Sequence, residues 1–385
     1  MTRVDAPFLA EAGSRAVSSL LTEAGHQAWF VGGCVRNALL GREVADVDMA
    51  TDARPEEVIA LAEGAGLRAV PTGIDHGTVT VIAEGRPFEI TTFRHDVETD
   101  GRHARVAFSD RMEDDAARRD FTMNALYAGI DGRVVDPVGG LTDLRARRVR
   151  FIGDPAARIR EDYLRILRFF RFHAVYGDAA GGIDAEGLAA SAAHQEGIER
   201  LSKERIGAEM LKLLAAPDPA PALASMQAAG ILARVLPGAE ASSLSLLGHF
   251  EADASPDPIR RLATLGGEDV AARLRLSRAQ AKRLGALREA ALGDDPPVVL
   301  GYRLGARDGR DAALIRAALT GQPPPESMGA DVARGAGQTF PIAAADLMPR
   351  LTGKALGDRL KELEDQWVAS GFRLTRADLL GRDAD

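Results

Sequence analysis

The stretch FVGGCVRNALLGREVADVDMA, residues 30–50, decides the fold and the chemistry of this chain. Its glycine pair, Gly32 and Gly33, lacks Cβ atoms, so the backbone N–H groups can approach a phosphate closely. The segment VADVDMA is typical of a short strand, on which Asp46 and Asp48 point to the same face. Two neighbouring carboxylates repel each other unless a cation lies between them, and Mg²⁺ prefers such oxygen ligands. The stretch therefore predicts metal-assisted chemistry on a nucleotide.

The composition excludes several classes of protein. The chain has 385 residues, of which 46% are hydrophobic, and no apolar run approaches the roughly 18 residues that cross a bilayer. The N-terminal residues lack the basic-then-apolar pattern of a secretory signal. A single cysteine, Cys34, excludes an internal disulfide and a cysteine-based zinc site. We expect a cytoplasmic protein with neither a membrane nor a disulfide-linked partner.

The charge is unevenly distributed along the chain. The formal net charge is −8, which argues against indiscriminate binding to nucleic acid. Residues 141–171 nevertheless contain nine arginines against four acidic residues. This local excess of positive charge indicates a focused site for a polyanion.

The hydrophobic pattern predicts a mixed α/β head that ends near residue 138, followed by helices to the end of the chain. The predicted strands cover residues 28–32, 44–50, 77–83 and 87–93. The predicted helices of this part cover residues 7–28, 52–66, 114–128 and 154–177, with Asp154 as the N-cap of the last and Gly177 as its end. Residues 94–110 are polar without periodicity and are expected to form a mobile loop.

A third carboxylate lies on the strand-like segment PFEITTFR at Glu89. On a strand adjacent to Asp46 and Asp48, it would complete an acidic triad for two metal ions, which activate a hydroxyl and stabilise a leaving pyrophosphate. The alternative is an exposed strand glutamate, and the spacing leaves both interpretations open.

The segment ARRDFTMNALY is expected to open a helix with Arg118, Arg119 and Asp120. Arginines at a helix N-terminus oppose the helix dipole unless an anion compensates them, so they suit a triphosphate. A solvated helix start is the alternative.

A polar stripe follows the segment REDYLRILRFFRF, where Asp162, Arg165, Arg168 and Arg171 recur every third position. One interpretation is a ladder of surface salt bridges. The other uses Asp162 and Arg165 to read a base. Cytosine and adenine present an amino donor beside a ring-nitrogen acceptor, so a carboxylate beside an arginine selects them and leaves uracil and guanine unpaired.

Taken in order, these segments resemble the class II, bacterial-type tRNA nucleotidyltransferase and poly(A) polymerase family of the polymerase-β-like nucleotidyltransferase superfamily. The resemblance is dense over residues 25–177 and weaker beyond. It is carried by VGGCVRNALLG with DVDMAT, HGTVTVI with FEITTFR, RRDFTMNALY, DPVGGLTDL and REDYLRILRFFRF.

The resemblance implies a role for each matching residue. Asp46 and Asp48 would be the Mg²⁺ ligands, with Glu89 as the third catalytic carboxylate. The residues implied in nucleotide binding are Gly33, Arg36, Arg119, Asp162, Arg165, Arg168 and Arg171. One departure concerns Asn37, where the family commonly has aspartate, and the lost charge puts the placement of Arg36 in question.

The resemblance further implies an α+β fold with three parts. A nucleotidyltransferase head with a small mixed sheet spans residues 1–138, a helical neck spans 139–215, and a helical body and tail that bind tRNA span 216–385. The implied activity is template-independent addition of CCA to tRNA 3′ ends from CTP and ATP, with release of pyrophosphate.

Several alternatives stay open at this point. Within the family they are a poly(A) polymerase and an enzyme that adds only CC or only A, although CC-only enzymes typically lack the loop at 94–110. From other classes they are a non-catalytic RNA-binding module, disfavoured by the intact carboxylates, and a small-molecule nucleotidyltransferase, disfavoured by the long helical extension.

Overall fold

The computed structural model describes residues 2–100, 103–251 and 254–381, with side chains described outside residues 96–106. The chain divides into two units. The first comprises Met1–Ala241 and Gly267–Arg275, and the second comprises Ser242–Gly266 and Leu276–Asp385. The finer division that we expect at residues 138 and 215 stays a prediction.

The described strands all belong to the first unit. They are β1 Trp29–Val31, β2 Asp48–Thr51, β3 Arg68–Gly73, β4 Thr78–Ala83, β5 Arg86–Thr92, β6 Arg94–Asp100, β7 His103–Phe108, β8 Tyr127–Ala128 and β9 Val134–Val135. Seven of them form one mixed sheet in the order β3-β4-β5-β2-β1-β8-β9, and β6 pairs with β7 separately. Within the described sheet, β2 and β5 run parallel and the other neighbours run antiparallel. The expected α+β fold with a small mixed sheet is confirmed.

The strand expected to carry both Asp46 and Asp48 is shorter than predicted. Strand β2 begins at Asp48, so Asp46 precedes it. The carbonyl of Ala45 accepts a hydrogen bond from the Arg86 side chain at 3.2 Å instead of joining the ladder of a neighbouring strand. The predicted burial of the apolar neighbours is confirmed, since Val47 and Met49 are both buried.

The prediction of a loop at 94–110 is wrong. Strands β6 and β7 form an antiparallel hairpin, in which Arg94 lies opposite Phe108 and Asp100 lies opposite His103. The backbone pairing defines this hairpin, and its sequence lacks the alternation of apolar and polar residues by which strands are predicted.

The helices of the first unit surround this sheet and extend beyond it. Numbered in chain order over the whole chain, they are α1 Pro7–Ala10, α2 Ala12–Glu23, α3 Gly33–Leu39, α4 Pro55–Gly64, α5 Met112–Ala117, α6 Gly140–Arg145, α7 Pro155–Glu161, α8 Leu164–Tyr176, α9 Ala185–Ala193, α10 Lys203–Leu214, α11 Ala220–Ala228, α12 Ile231–Val235 and α15 Val270–Arg273.

The prediction of one helix over residues 114–128 is also wrong. Helix α5 ends at Ala117, and after a 3₁₀ turn at Thr122–Asn124 the chain enters strand β8. Arg118 and Arg119 therefore follow a helix C-terminus instead of opening a helix. Tertiary packing overrides the helical pattern here, because Tyr127 pairs with Val31 of strand β1 and its side chain is fully buried.

The helix predicted from Asp154 to Gly177 is two helices. Asp154 caps α7 by accepting hydrogen bonds from the backbone N–H groups of Ala156 and Ala157, and Gly177 ends α8, so both ends are confirmed. The break falls at Asp162, whose backbone is extended and whose carboxylate accepts the N–H of Leu164 at 3.1 Å. A side chain that bonds the backbone locally competes with the helical hydrogen bond in this way.

A cluster of phenylalanines packs α8 against the segment that follows α5. The ring of Phe121 lies 4.9 Å from Phe151 and 5.0 Å from Phe172, centroid to centroid, and Phe151 stacks on Phe169 at 5.4 Å. All four of these side chains are buried. This packing sets the polar face of α8 opposite the turn that holds Arg119 and Asp120.

The regular elements of the second unit, among its described residues, are all helices. Its helices are α13 Leu244–Phe250, α14 Pro258–Leu265, α16 Arg278–Leu292, α17 Pro297–Thr320, α18 Met328–Ala336, α19 Ala344–Leu347, α20 Gly353–Ala369 and α21 Arg376–Gly381. Helices α14 and α17 share a buried ion network, in which Arg260 contacts both Glu251 and Asp311. In the described part of the whole chain, no helix combines the length and the apolar character needed to cross a membrane.

Candidate active site

Three carboxylates lie on or just before the neighbouring strands β2 and β5 in the interior of the sheet. The parallel pairing of β2 with β5 sets Asp48 directly opposite Glu89, so the predicted third carboxylate is on the adjacent strand. Asp48 is half-buried, whereas Asp46 and Glu89 are exposed. Burial, together with the like charges of Glu89 and Asp46, raises the pKa of Asp48 to about 6, and the positive charge of Arg119 opposes this rise.

These carboxylates fit a divalent metal in their chemistry. The pKa of Asp48 is raised by desolvation and by repulsion from Glu89 and Asp46, and a bound cation would offset both effects. Among the described residues, no three acidic, histidine or cysteine side chains converge into a ready-made metal cluster. Mg²⁺ does not require one, since it is usually held by one or two carboxylates together with waters and substrate phosphates.

Arg119 is held rigidly beside the glycine pair. Its guanidinium donates to Asp115 at 2.8 and 3.1 Å and to the hydroxyl of Tyr127 at 3.3 Å. A Cβ atom at Gly32, where φ is +73°, would lie 3.4 Å from the guanidinium. Burial by itself would raise the pKa of Asp115, but the ion pairs with Arg119 and Arg118 hold it at about 2. Asp115 thus stays charged and fixes both arginines.

Arg36 lies on helix α3 with only 7% of its surface exposed. It donates to Asn124 Oδ1 at 2.5 Å, to Tyr176 Oη at 2.7 Å and to Asn37 Oδ1 at 3.0 and 3.2 Å. Burial lowers the pKa of Arg36 from its ordinary value, although an arginine stays protonated at neutral pH. Despite the departure at position 37, the side chain of Asn37 contacts Arg36 directly.

Asp120 connects Asn124, a hydrogen-bond partner of Arg36, to helix α8. Its carboxylate accepts hydrogen bonds from Asn124 Nδ2 at 2.8 Å and from Arg168 at 2.5 and 2.8 Å. Burial would raise the pKa of Asp120, but the charge and hydrogen bonds of Arg168 and Asn124 lower it below its ordinary value. Sequence reasoning did not assign Asp120 and Asn124 to the site, although both stand in the quoted segment ARRDFTMNALY.

Asp162 and Arg165, the pair predicted to read a base, are flanked by further charged residues. Asp162 Oδ2 accepts a hydrogen bond from Arg205 of helix α10 at 2.6 Å. Arg165 donates to Glu161 at 2.6 Å and to the carbonyls of Arg158 and Arg118 at 3.0 and 3.2 Å. These side-chain hydrogen bonds of Asp162 and Arg165 thus go to other residues, and the two residues are joined through the backbone, where Arg165 N–H donates to the carbonyl of Asp162 at 3.0 Å. Arg205, on the segment LSKERIG, carries no sequence signal that links it to Asp162.

The ladder of salt bridges along α8 is not observed. Arg168 pairs with Asp120, and Arg171 pairs with Glu209 of α10 at 2.5 Å. Each member of the stripe instead has a partner on α7, α10 or the turn after α5. The stripe thus links α8 to its surroundings.

A cavity of about 340 Å³ collects most of the predicted site residues. It is lined by Gly32, Gly33, Arg36, Asp48, Arg118, Arg119, Asp120, Asn124, Asp162, Arg165, Arg168 and Phe172. Asp46 and Glu89 lie near Asp48 outside this lining, and Arg171 lies outside it as well. One wall thus offers a carboxylate suited to a metal ion, another offers arginines suited to a triphosphate, and α8 offers groups suited to a base edge.

Comparison with known proteins finds two family models on this chain. The model described as the poly(A) polymerase head domain matches residues 28–150. The model described as the probable RNA and SrmB-binding site of polymerase A matches residues 182–242. The first match contains Asp46, Asp48, Glu89 and Arg36, and the second contains Arg205.

The chain is similar to curated relatives over nearly its whole length. It is 33% identical to the mitochondrial CCA tRNA nucleotidyltransferase 1 of Mus musculus, over 96% of this chain and 89% of the relative. It is 34% identical to the Danio rerio protein of the same name, over 91% of this chain and 85% of the relative. It is 41% identical to the CCA-adding enzyme of Levilactobacillus brevis over 57% of this chain and 54% of that enzyme.

Solved structures share the fold. The CCA-adding enzyme of Bacillus stearothermophilus, crystallised in complex with CTP, matches with a TM-score of 0.80 and 27% identity over 98% of each chain. The Thermotoga maritima CCA-adding enzyme complexed with tRNA matches with a TM-score of 0.70 at 18% identity, over 99% of this chain and 98% of that one. The second match is a likeness of fold alone.

Proposed function

Because the chain belongs to the class II CCA-adding enzyme and poly(A) polymerase head family of the nucleotidyltransferase superfamily, we propose that it adds C, C and A to tRNA 3′ ends from CTP and ATP. It is a tRNA nucleotidyltransferase, and its partners are tRNA and the two nucleoside triphosphates. The observation that carries the proposal for this chain's own residues is the single cavity that places Asp48, Arg36, Arg119, Asp162 and Arg165 together.

The reaction joins the terminal ribose hydroxyl of tRNA to the α-phosphate of the incoming nucleotide. The new ester bond forms as the bond between the α-phosphate and the bridging oxygen breaks, and pyrophosphate leaves. Divalent metal use is typical of the superfamily, and Mg²⁺ held by Asp46 and Asp48 with Glu89 nearby would activate the hydroxyl and neutralise the phosphate charge. The protein itself contributes mainly positioning and electrostatic stabilisation.

The arginines of the cavity are proposed to hold the triphosphate. Arg36 and Arg119 are both fixed by several hydrogen bonds before substrate arrives, so little side-chain entropy is lost on binding. Arg168 is fixed by Asp120 in the same way. Gly33 opens helix α3 beside them and lets the nucleotide approach the backbone closely.

Asp162 and Arg165 are proposed to read the base, with Arg168 and Arg171 supporting them. Each carboxylate oxygen of Asp162 accepts one bond, from Leu164 N–H or Arg205, and retains a lone pair for an exocyclic amino group. Arg165 has five N–H donors and uses three of them in its hydrogen bonds from Nη1 and Nη2. The others are available to a base. The pair can therefore accept from cytosine or adenine and donate to the ring nitrogen.

One assay tests the proposed function directly. Purified protein is incubated with tRNAs that lack A, CA or CCA, together with Mg²⁺ and both CTP and ATP, one of which is labelled. We expect stoichiometric completion of each tRNA to CCA, and no incorporation when Mg²⁺ is removed by a chelator. Long A-tails would indicate a poly(A) polymerase, and incorporation of only CC or only A would indicate a partial activity.

We also propose a cytoplasmic location, in agreement with a composition that includes a single cysteine. The named relatives above are mitochondrial or bacterial. Fractionation of cells that express the tagged protein tests this, and enrichment in an organelle or membrane fraction would contradict it.

A further inference from the structure

The buried arginine Arg36 has neutral hydrogen-bond partners. Its three acceptors are the amide oxygens of Asn37 and Asn124 and the hydroxyl of Tyr176. Among the described residues, no carboxylate lies within salt-bridge distance of its guanidinium. Buried charges in proteins are normally paired, so this cation has its charge available for an anion that enters the cavity.

The carboxylate of Asp120 is connected to Arg36 only indirectly, through the side-chain amide of Asn124. Asn124 accepts from Arg36 and donates through Nδ2 to Asp120 at 2.8 Å. Asp120 is itself paired with Arg168 at 2.5 Å. Its negative charge is therefore shared with a second arginine, and Asn124 transmits orientation to Arg36 without neutralising it.

Tyr176 contacts Arg36 in two ways from the last residue of helix α8. Its hydroxyl oxygen accepts the Nη2–H of Arg36 at 2.7 Å and lies 3.4 Å from Asn37 Oδ1, to which it donates. Its ring centroid lies 4.1 Å from the Cζ atom of Arg36, within the range of a cation–π interaction. The phenol thus contacts the guanidinium with both its oxygen and its π-face.

We propose that Tyr176 is a positioning residue that orients Arg36 toward the nucleotide in place of a carboxylate at position 37; this inference rests on the proposed function. An aspartate at position 37 would pair with Arg36 and orient it by charge, but would also neutralise it. Asn37 keeps the acceptor oxygen and loses the charge. The hydroxyl of Tyr176 supplies a further acceptor, so that Arg36 is oriented and its charge remains available for the triphosphate.

A double-mutant cycle tests the coupling between the two positions. The four proteins are wild type, Tyr176→Phe, Asn37→Asp and the double variant, each assayed for CTP and ATP addition and for CTP binding at equilibrium. We expect Tyr176→Phe to raise the KM and the Kd for the nucleotide about tenfold, because a hydrogen bond to a charged group is lost. The kcat should change less than about twofold. In the background of Asn37→Asp, the same change should alter KM and Kd less than about twofold.

The contrary result is equally specific. An equal change in both backgrounds, including no change in either, overturns the proposal, as does a change confined to kcat. Tyr302→Phe is the matched control, since it removes a hydroxyl that donates to Glu364 in the second unit and should leave KM for CTP unchanged. Melting temperatures establish that each variant is folded. CTP binding also keeps the two proposals distinguishable, because a wild-type protein that binds CTP without extending tRNA would contradict the proposed function alone.

Discussion

At the scale of single residues, Asp48 is the group on which the proposed chemistry depends. It is half-buried, lies opposite Glu89 and faces the cavity that Arg119 lines. We predict that Asp48→Ala lowers nucleotide addition at least about a hundredfold, because the charge that would hold the metal is lost. tRNA binding should be almost unchanged, since this carboxylate does not attract phosphates. Single-turnover addition and a filter-binding assay measure the two effects.

Asp5→Ala serves as the matched control for this prediction. Asp5 is an exposed aspartate of the same unit outside the cavity lining, so its removal should leave addition within about twofold of wild type. Retention of near wild-type activity by Asp48→Ala would refute the assignment of the metal site.

The proposed role of Asp162 and Arg165 in reading the base leads to a separate prediction. The double variant Asp162→Ala with Arg165→Ala should incorporate UTP and GTP measurably. Discrimination should fall about tenfold or more, because a site built to hydrogen-bond one base edge rejects the others through unpaired polar groups. Competition between labelled CTP and UTP on the same tRNA measures the ratio. The matched control removes Asp331 and Arg334, an ion pair of the same spacing on α18, and unchanged selectivity in the site variant would contradict the role.

At the scale of elements, the close approach of α17 and α18 depends on glycine. A Cβ atom at Gly335 would lie 1.8 Å from the carbonyl oxygen of Val298, so the two helices would have to separate. We predict that Gly335→Ala destabilises the second unit by about 2 kcal/mol through overpacking. Thermal and denaturant unfolding measure this change.

The same helix offers the control for this prediction. At Gly329 a Cβ atom would meet nothing within 4 Å. Gly329→Ala should therefore be neutral or stabilising by up to about 1 kcal/mol, because alanine has the higher helix propensity. Equal destabilisation by both substitutions would show that close packing at Gly335 is not the cause.

At the scale of the whole molecule, an acidic protein is expected to bind a polyanion through localised positive charge. The net charge is −8, yet residues 141–171 hold nine arginines. We predict that the Kd for tRNA rises about tenfold or more between about 50 and about 200 mM salt, because binding releases counterions from phosphates. Filter binding at several salt concentrations measures the slope, with circular dichroism as the check on folding. A Kd that does not respond to salt would contradict phosphate-dominated binding.

Much of the site was predictable because its residues belong to short local motifs. Asp48, Arg36 and Arg119 all line the cavity, as does the pair Asp162 and Arg165. Their partners were not predictable. Asp162 is joined to Arg205 and Arg36 to Tyr176 across 43 and 140 residues of sequence, and such pairings depend on how helices pack.

The sequence by itself determined the α+β class and the helix ends at Asp154 and Gly177, because these depend on local hydrogen bonding and hydrophobic pattern. It also predicted the residues that are proposed to bind the nucleotide, because they stand in short local motifs. Only the tertiary structure decided that α5 ends at Ala117, that the helix breaks at Asp162 and that residues 94–100 pair with residues 103–108 as strands. In each case, backbone or side-chain groups form hydrogen bonds that the hydrophobic periodicity of the sequence does not predict. The placement of Arg36 beside Asn37 was likewise decided by the tertiary structure, since further groups that orient Arg36 come from α8 and from the turn at Asn124.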